Sequence, residues 1–193
     1  MNENTKQKMK QTLFLIISII GLNSCAQKQE SSGENQKLQN EIAKMNDSEL
    51  LAFSNKLYDS GSESTKAIIT LQECVKRNID KGNSLYRLGV SYIENGETEI
   101  GIKKLEESIK INPKYFKAYF NIGAVCYDTQ QFEKSVAFYK KSLEIEPQND
   151  ASYYGIALSE YALNERKSSK ENCEMALKLN PNNENAKLLL QKY

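Results

Sequence analysis

The 193-residue chain has three prolines, Pro113, Pro147 and Pro181, and they stand 34 residues apart and then 34 again. Each closes a similar phrase: Lys110-Ile111-Asn112-Pro113, Glu144-Ile145-Glu146-Pro147 and Lys178-Leu179-Asn180-Pro181. Proline disfavours helix at the residue before it, so each phrase reads as a helix end. A fixed period of this length marks a chain built from stacked units, none of which buries its apolar face alone.

Framed by that period, the chain divides into units 48–81, 82–115, 116–149 and 150–183. Three columns stay mostly small: Asn55, Gly89, Gly123 and Ala157 in the eighth, Ala67, Gly101, Ser135 and Ser169 in the twentieth, Cys74, Ser108, Ser142 and Ala176 in the twenty-seventh. Two stay mostly large: Leu51, Leu85, Tyr119 and Tyr153 in the fourth, Leu71, Leu105, Tyr139 and Cys173 in the twenty-fourth. Small columns let two helices approach closely, and large ones fill the space between them; Tyr119, Tyr139 and Tyr153 are expected in the core. Apolar residues recur at helical spacing, as in Leu85, Leu88 and Tyr92. Turn signals fall mid-unit at Ser60-Gly61-Ser62 and Asn95-Gly96.

This spacing, with Leu88-Gly89, Ile122-Gly123, the small columns and the closing proline, resembles the tetratricopeptide repeat. The resemblance covers 48–183 and implies an all-α superhelical solenoid of about four helix-turn-helix repeats. Residues 184–193, with Ala186, Leu188, Leu189 and Leu190, read as a capping helix, so about nine helices and no sheet are expected across 48–193. Unit one has Ile79 in place of the proline, and unit four places Glu160, Arg166 and Lys170 in columns that are usually apolar. Terminal repeats are expected to be atypical because their outer faces meet water.

The resemblance also implies a binding groove lined by the first helix of each unit. Its outward columns hold Tyr86, Arg87, Val90 and Ile93, then Phe120, Asn121, Ala124 and Tyr127, then Tyr154, Leu158 and Tyr161. This strip is apolar and aromatic with few charges. Tyrosine offers contact area at low entropy cost and a hydroxyl for orientation. By the same resemblance, Asn121 would hydrogen-bond the backbone of an extended peptide. Aromatics at helical spacing are, however, more often core than contact.

Ahead of the repeats, Lys6, Lys8 and Lys10 precede the apolar run 13–22. Ten helical residues cover only about 15 Å, whereas a bilayer core is roughly 30 Å thick. A basic start and a short apolar centre describe a secretory signal over 1–24. Leu22-Asn23-Ser24-Cys25 resembles the lipobox of bacterial lipoproteins, which implies cleavage after Ser24 and lipidation of Cys25. Residue 26 is Ala, not Asp, which leans toward the outer membrane, on its periplasmic face rather than the cell surface. Residues 25–47 then form a polar tether carrying the lipidated Cys, with a helical fragment over Lys37–Lys44, and 48–193 the folded domain.

The net charge of +1 offers no concentrated basic face for nucleic acid. Histidine is absent, which removes the commonest general base and the commonest metal ligand together. Cys74, Cys126 and Cys173 are widely spaced, match no metal or redox motif, and read as small buried hydrophobes. No catalytic residue set, cofactor or metal is therefore expected. The sequence points to a lipid-anchored scaffold that binds other cell-envelope proteins or peptides. A receptor for a peptide or glycan ligand is the alternative, since an aromatic groove suits sugars too.

Overall fold

A computed structural model describes residues 33–61 and 63–193, in two compact units divided between Asn46 and Asp47. The signal segment and Cys25 lie outside the described residues.

In the first unit residues 33–42 form a helix (α1), followed by a turn over 43–45. The polar tether expected over 25–47 thus contains more helix than the Lys37–Lys44 fragment foreseen, and the helix begins earlier. Leu38 and Ile42, four apart, supply an i,i+4 apolar pair that Gln-rich surroundings obscure in the sequence.

The second unit comprises α2 (Asp47–Ser60), α3 (Ser64–Lys76), α4 (Lys81–Glu94), α5 (Thr98–Ile111), α6 (Phe116–Asp128), α7 (Phe132–Ile145), α8 (Asp150–Ala162), α9 (Arg166–Leu179) and α10 (Glu184–Leu190). These are the nine expected helices, and no strand occurs among the described residues. Each helix packs on its neighbours in sequence, and α6 also touches α8, the first helices of successive repeats standing side by side. The architecture is an all-α, tetratricopeptide-like solenoid. Asn149 and Asn183 start α8 and α10 by accepting from the backbone N–H of Ser152 (2.7 Å) and Ala186 (3.0 Å), which satisfies donors a helix start leaves unpaired.

The small columns form the seams between paired helices. A Cβ on Gly101 would stand 2.6 Å from the Gly89 carbonyl oxygen, so α4 and α5 cross backbone to backbone. Where the twentieth column is serine, its hydroxyl crosses the seam: Ser135 Oγ donates to the Gly123 carbonyl (2.8 Å) and Ser169 Oγ to that of Ala157 (2.5 Å). These serines are fully buried, and hydrogen bonding offsets their desolvation. Leu71, Leu105 and Cys173 fill the large column with no exposed surface, and Tyr139 joins them nearly buried.

One expectation needs correction. Tyr119 and Tyr153 are half-buried rather than core, as is Leu51, and only Leu85 of that column is buried. Tyr153 packs on the edge of the Ala157, Cys173 and Ala176 cluster, so the column borders the core rather than filling it. Glu160, although charged, occupies its interior column at 4% exposure, because Asn172 Nδ2 on α9 donates to its Oε2 at 2.9 Å. Arg166 and Lys170 stay exposed, and α9 still buries Ser169, Cys173 and Ala176.

Candidate functional site

The outward columns of α4, α6 and α8 place Tyr86, Val90, Ile93, Phe120, Tyr127, Tyr154, Leu158 and Tyr161 on the first helices. All eight are half-buried, and Ile93 is packed into the α4–α5 seam, its Cγ1 2.6 Å from where a Cβ on Gly101 would stand. Val90 and Ile93 pack on the cluster of Leu105, Ala118, Ile122 and Cys126, while Tyr154, Leu158 and Tyr161 pack on that of Ala157, Cys173, Ala176, Ala186 and Leu189. The strip is thus rooted in two separate portions of the core.

Its rings are held in defined orientations. Tyr86 meets Tyr115 edge-on with centroids 4.7 Å apart, and Phe120 meets Tyr139 at 5.4 Å. Tyr127 tilts against Phe132 at 5.6 Å. Tyr161 carries the Arg166 guanidinium 3.8 Å from its ring centre and meets Tyr193 edge-on at 5.8 Å. Edge-on pairs and cations over rings are each favourable beyond area burial. Burial also pushes the Tyr154 hydroxyl above its ordinary value, so it stays a donor.

Arg87 and Asn121 sit differently from their neighbours. The Arg87 guanidinium lies 4.6 Å from the Tyr58 ring centre and pairs with Asp59 at 3.3 Å, tying α4 to α2. The Asn121 amide donates to the Tyr86 hydroxyl at 3.2 Å, so this group expected to meet a peptide backbone already links α6 to α4. A peptide reaching Asn121 would use its carbonyl oxygen or its second N–H.

One exposed position in the same column was not singled out by the sequence. Leu188 follows Tyr86, Phe120 and Tyr154 at the same 34-residue interval and, at 58%, is the most exposed large hydrophobic among the described residues. The period itself contained that signal, but treating 184–193 only as a cap hid it.

No group of three or more His, Cys, Asp or Glu side chains that could hold a metal occurs among the described residues. Cys74, Cys126 and Cys173 are free and buried, and burial holds each thiol above its ordinary value. No helix of the described residues is long and apolar enough to cross a membrane.

Comparison with known proteins agrees with this architecture. Residues 83–115 and 116–149 each match a tetratricopeptide repeat family model. No curated protein matches the chain in sequence. Among solved structures, MamA from Desulfovibrio magneticus superposes with a TM-score of 0.67 at 19% identity, over 73% of this chain and 79% of that one. The tetratricopeptide domain of Arabidopsis OM64 gives 0.57 at 20% identity, over 60% and 95%. The first such domain of Spaghetti (RPAP3), solved with an HSP90 peptide, gives 0.57 at 19%, over 58% and 90%. The fold is therefore that of a tetratricopeptide-repeat solenoid, and residues 83–115 and 116–149 match the repeat models directly.

Proposed function

We propose that this chain is a lipid-anchored interaction scaffold of the bacterial cell envelope, binding partner proteins or peptides through the first-helix strip of its repeats. The observation that carries the reading is the strip itself: eight apolar and aromatic side chains on three stacked helices, each half-buried and several oriented by ring contacts. Pre-oriented aromatic anchors lose little entropy when a partner covers them, and this is where binding energy concentrates in interfaces. The repeat architecture supports the reading, and one fold neighbour was solved with a peptide bound. The clamp used for acidic tails needs several cations in the groove; here Arg87 is nearly alone and already pairs with Asp59.

The anchor rests on the sequence before the repeats. A basic start, the short apolar run 13–22 and Cys25 after Leu22-Asn23-Ser24 support cleavage and lipidation there. Two or more acyl chains give stable attachment where one does not. The outer membrane is the proposed site, facing the periplasm.

Two experiments test this. Fatty-acid labelling in cells should mark the wild type and not Cys25→Ser; labelling of both would exclude that anchor. Crosslinking and pull-down should recover envelope proteins with the wild type and lose them in the Tyr127→Ala, Tyr161→Ala double variant. Recovery unchanged by that double substitution would remove the strip as the binding face.

A further inference from the structure

A cleft of about 800 Å³ opens between the turn joining α3 to α4 and the end of α5, beside the start of α6. That size falls in the range of small-molecule sites. It forms where unit one departs from the repeat pattern. With Ile79 in place of the closing proline, the chain leaves α3 through Asn78 (φ 63°) and enters α4 through Asp80 (φ 38°). The turns that close units two and three contain no positive φ. Asn and Asp tolerate this left-handed backbone better than other non-glycine residues.

Its polar wall is oriented. Asn83 Nδ2 donates to Asp80 Oδ2 at 3.0 Å, and the Tyr115 hydroxyl donates to Asn83 Oδ1 at 3.0 Å. Both bonds fix which way the Asn83 amide faces. The amide's second N–H, the other Asp80 oxygen and the lone pairs of the Tyr115 hydroxyl then remain for a ligand. Burial raises the Tyr115 hydroxyl to about 12, so it keeps its proton and its direction at neutral pH. Facing these groups is Ile111, 50% exposed. Residue 82 is glycine, and a Cβ there would come 3.3 Å from Ile111 Cγ2, so glycine leaves the cleft floor open beneath the isoleucine.

The charges select among ligands. One acid, Asp80, and one base, Lys81, line the cleft, leaving no net field for a phosphate or a metal ion. Alternating donors and acceptors opposite an aliphatic wall suit a molecule bearing hydroxyls on one side and C–H groups on the other. We propose that this cleft binds a neutral saccharide unit, with its hydroxyls on Asp80, Asn83 and Tyr115 and its C–H face on Ile111.

Tyr115 packs edge-on against Tyr86 of the partner-binding strip, so the test variants stand at Asp80 and Ile111, outside the strip, and either site can fail alone. Backbone amide NMR shifts of the full chain would be followed during titration with maltose, cellobiose and N-acetylglucosamine. Shifts with at least one sugar should cluster on 78–83 and 111–115. Asp80→Asn keeps a residue that tolerates the left-handed backbone yet removes the carboxylate, and Ile111→Ala removes the aliphatic wall. Each should weaken binding about tenfold, the loss expected for one hydrogen bond to a charged group or one buried side chain. No cleft shifts with any of the three sugars would overturn the proposal, as would wild-type affinity in both variants. So would inorganic phosphate or calcium chloride shifting the same amides while the sugars do not.

Discussion

Tyr139 of α7 packs against Gly155 of α8 so closely that a Cβ on Gly155 would lie 2.4 Å from the ring's Cζ. On the other side, a Cβ on Gly123 would lie 3.0 Å from Cδ1 of the same ring. The large residue of one repeat thus occupies space vacated by a glycine in its own repeat and another in the next. Phe120 completes the enclosure edge-on.

Gly155→Ala should therefore destabilise the protein although alanine is the better helix former. Overpacking a rigid ring costs about 1–3 kcal/mol, against a propensity gain of about 1 kcal/mol. Urea denaturation should show a net loss, and pairing the change with Tyr139→Leu should recover most of it. A stabilised single variant would refute this packing.

The pair of Glu160 and Asn172 invites a second substitution. Asn172→Ala leaves a buried carboxylate without its 2.9 Å donor, which costs about 1–3 kcal/mol. Adding Glu160→Leu restores an apolar residue to that column and should recover stability beyond the Asn172→Ala variant. Thermal melts of the single and double variants measure this; additive losses would show that the pair does not interact.

Alkaline solution should destabilise the protein through its buried tyrosines. Burial, as the leading cause, raises the Tyr58, Tyr115 and Tyr139 hydroxyls above the ordinary phenol value of about 10. A phenol whose folded value is raised prefers its neutral form in the native state. Its stabilising contribution is complete below pH 10 and declines as pH climbs through the Tyr115 value of about 12. Denaturant midpoints measured at rising pH should fall across that window, and Tyr139→Phe should flatten the fall.

Thiol chemistry gives a further check. Cys74, Cys126 and Cys173 are buried and their thiols raised, and Cys173 Sγ also donates to the Ala186 carbonyl at 3.0 Å. A thiolate-selective reagent should label them slowly in native buffer and rapidly in denaturant. Fast native labelling of Cys173 would show that α10 leaves its place readily.

Much of this molecule was readable in one dimension because its repeat is exact. Pro113, Pro147 and Pro181 fixed the helix ends, and the columns through Gly89, Gly123, Ser135 and Leu105 fixed which faces meet. The same period located Tyr86, Phe120 and Tyr154 on first helices and would have located Leu188. Column logic, however, assigns each position its usual neighbour and is silent on pairwise fit. That Gly155 makes room for Tyr139, that Asn172 satisfies Glu160, and that Arg87 and Asn121 spend their donors on α2 and α4 were decided in three dimensions. So was the cleft at Asp80, which arises where Ile79 breaks the pattern. The reason is physical: hydrophobic periodicity sets which surfaces are buried, whereas volume and hydrogen-bond satisfaction depend on residues brought together only when the helices stack.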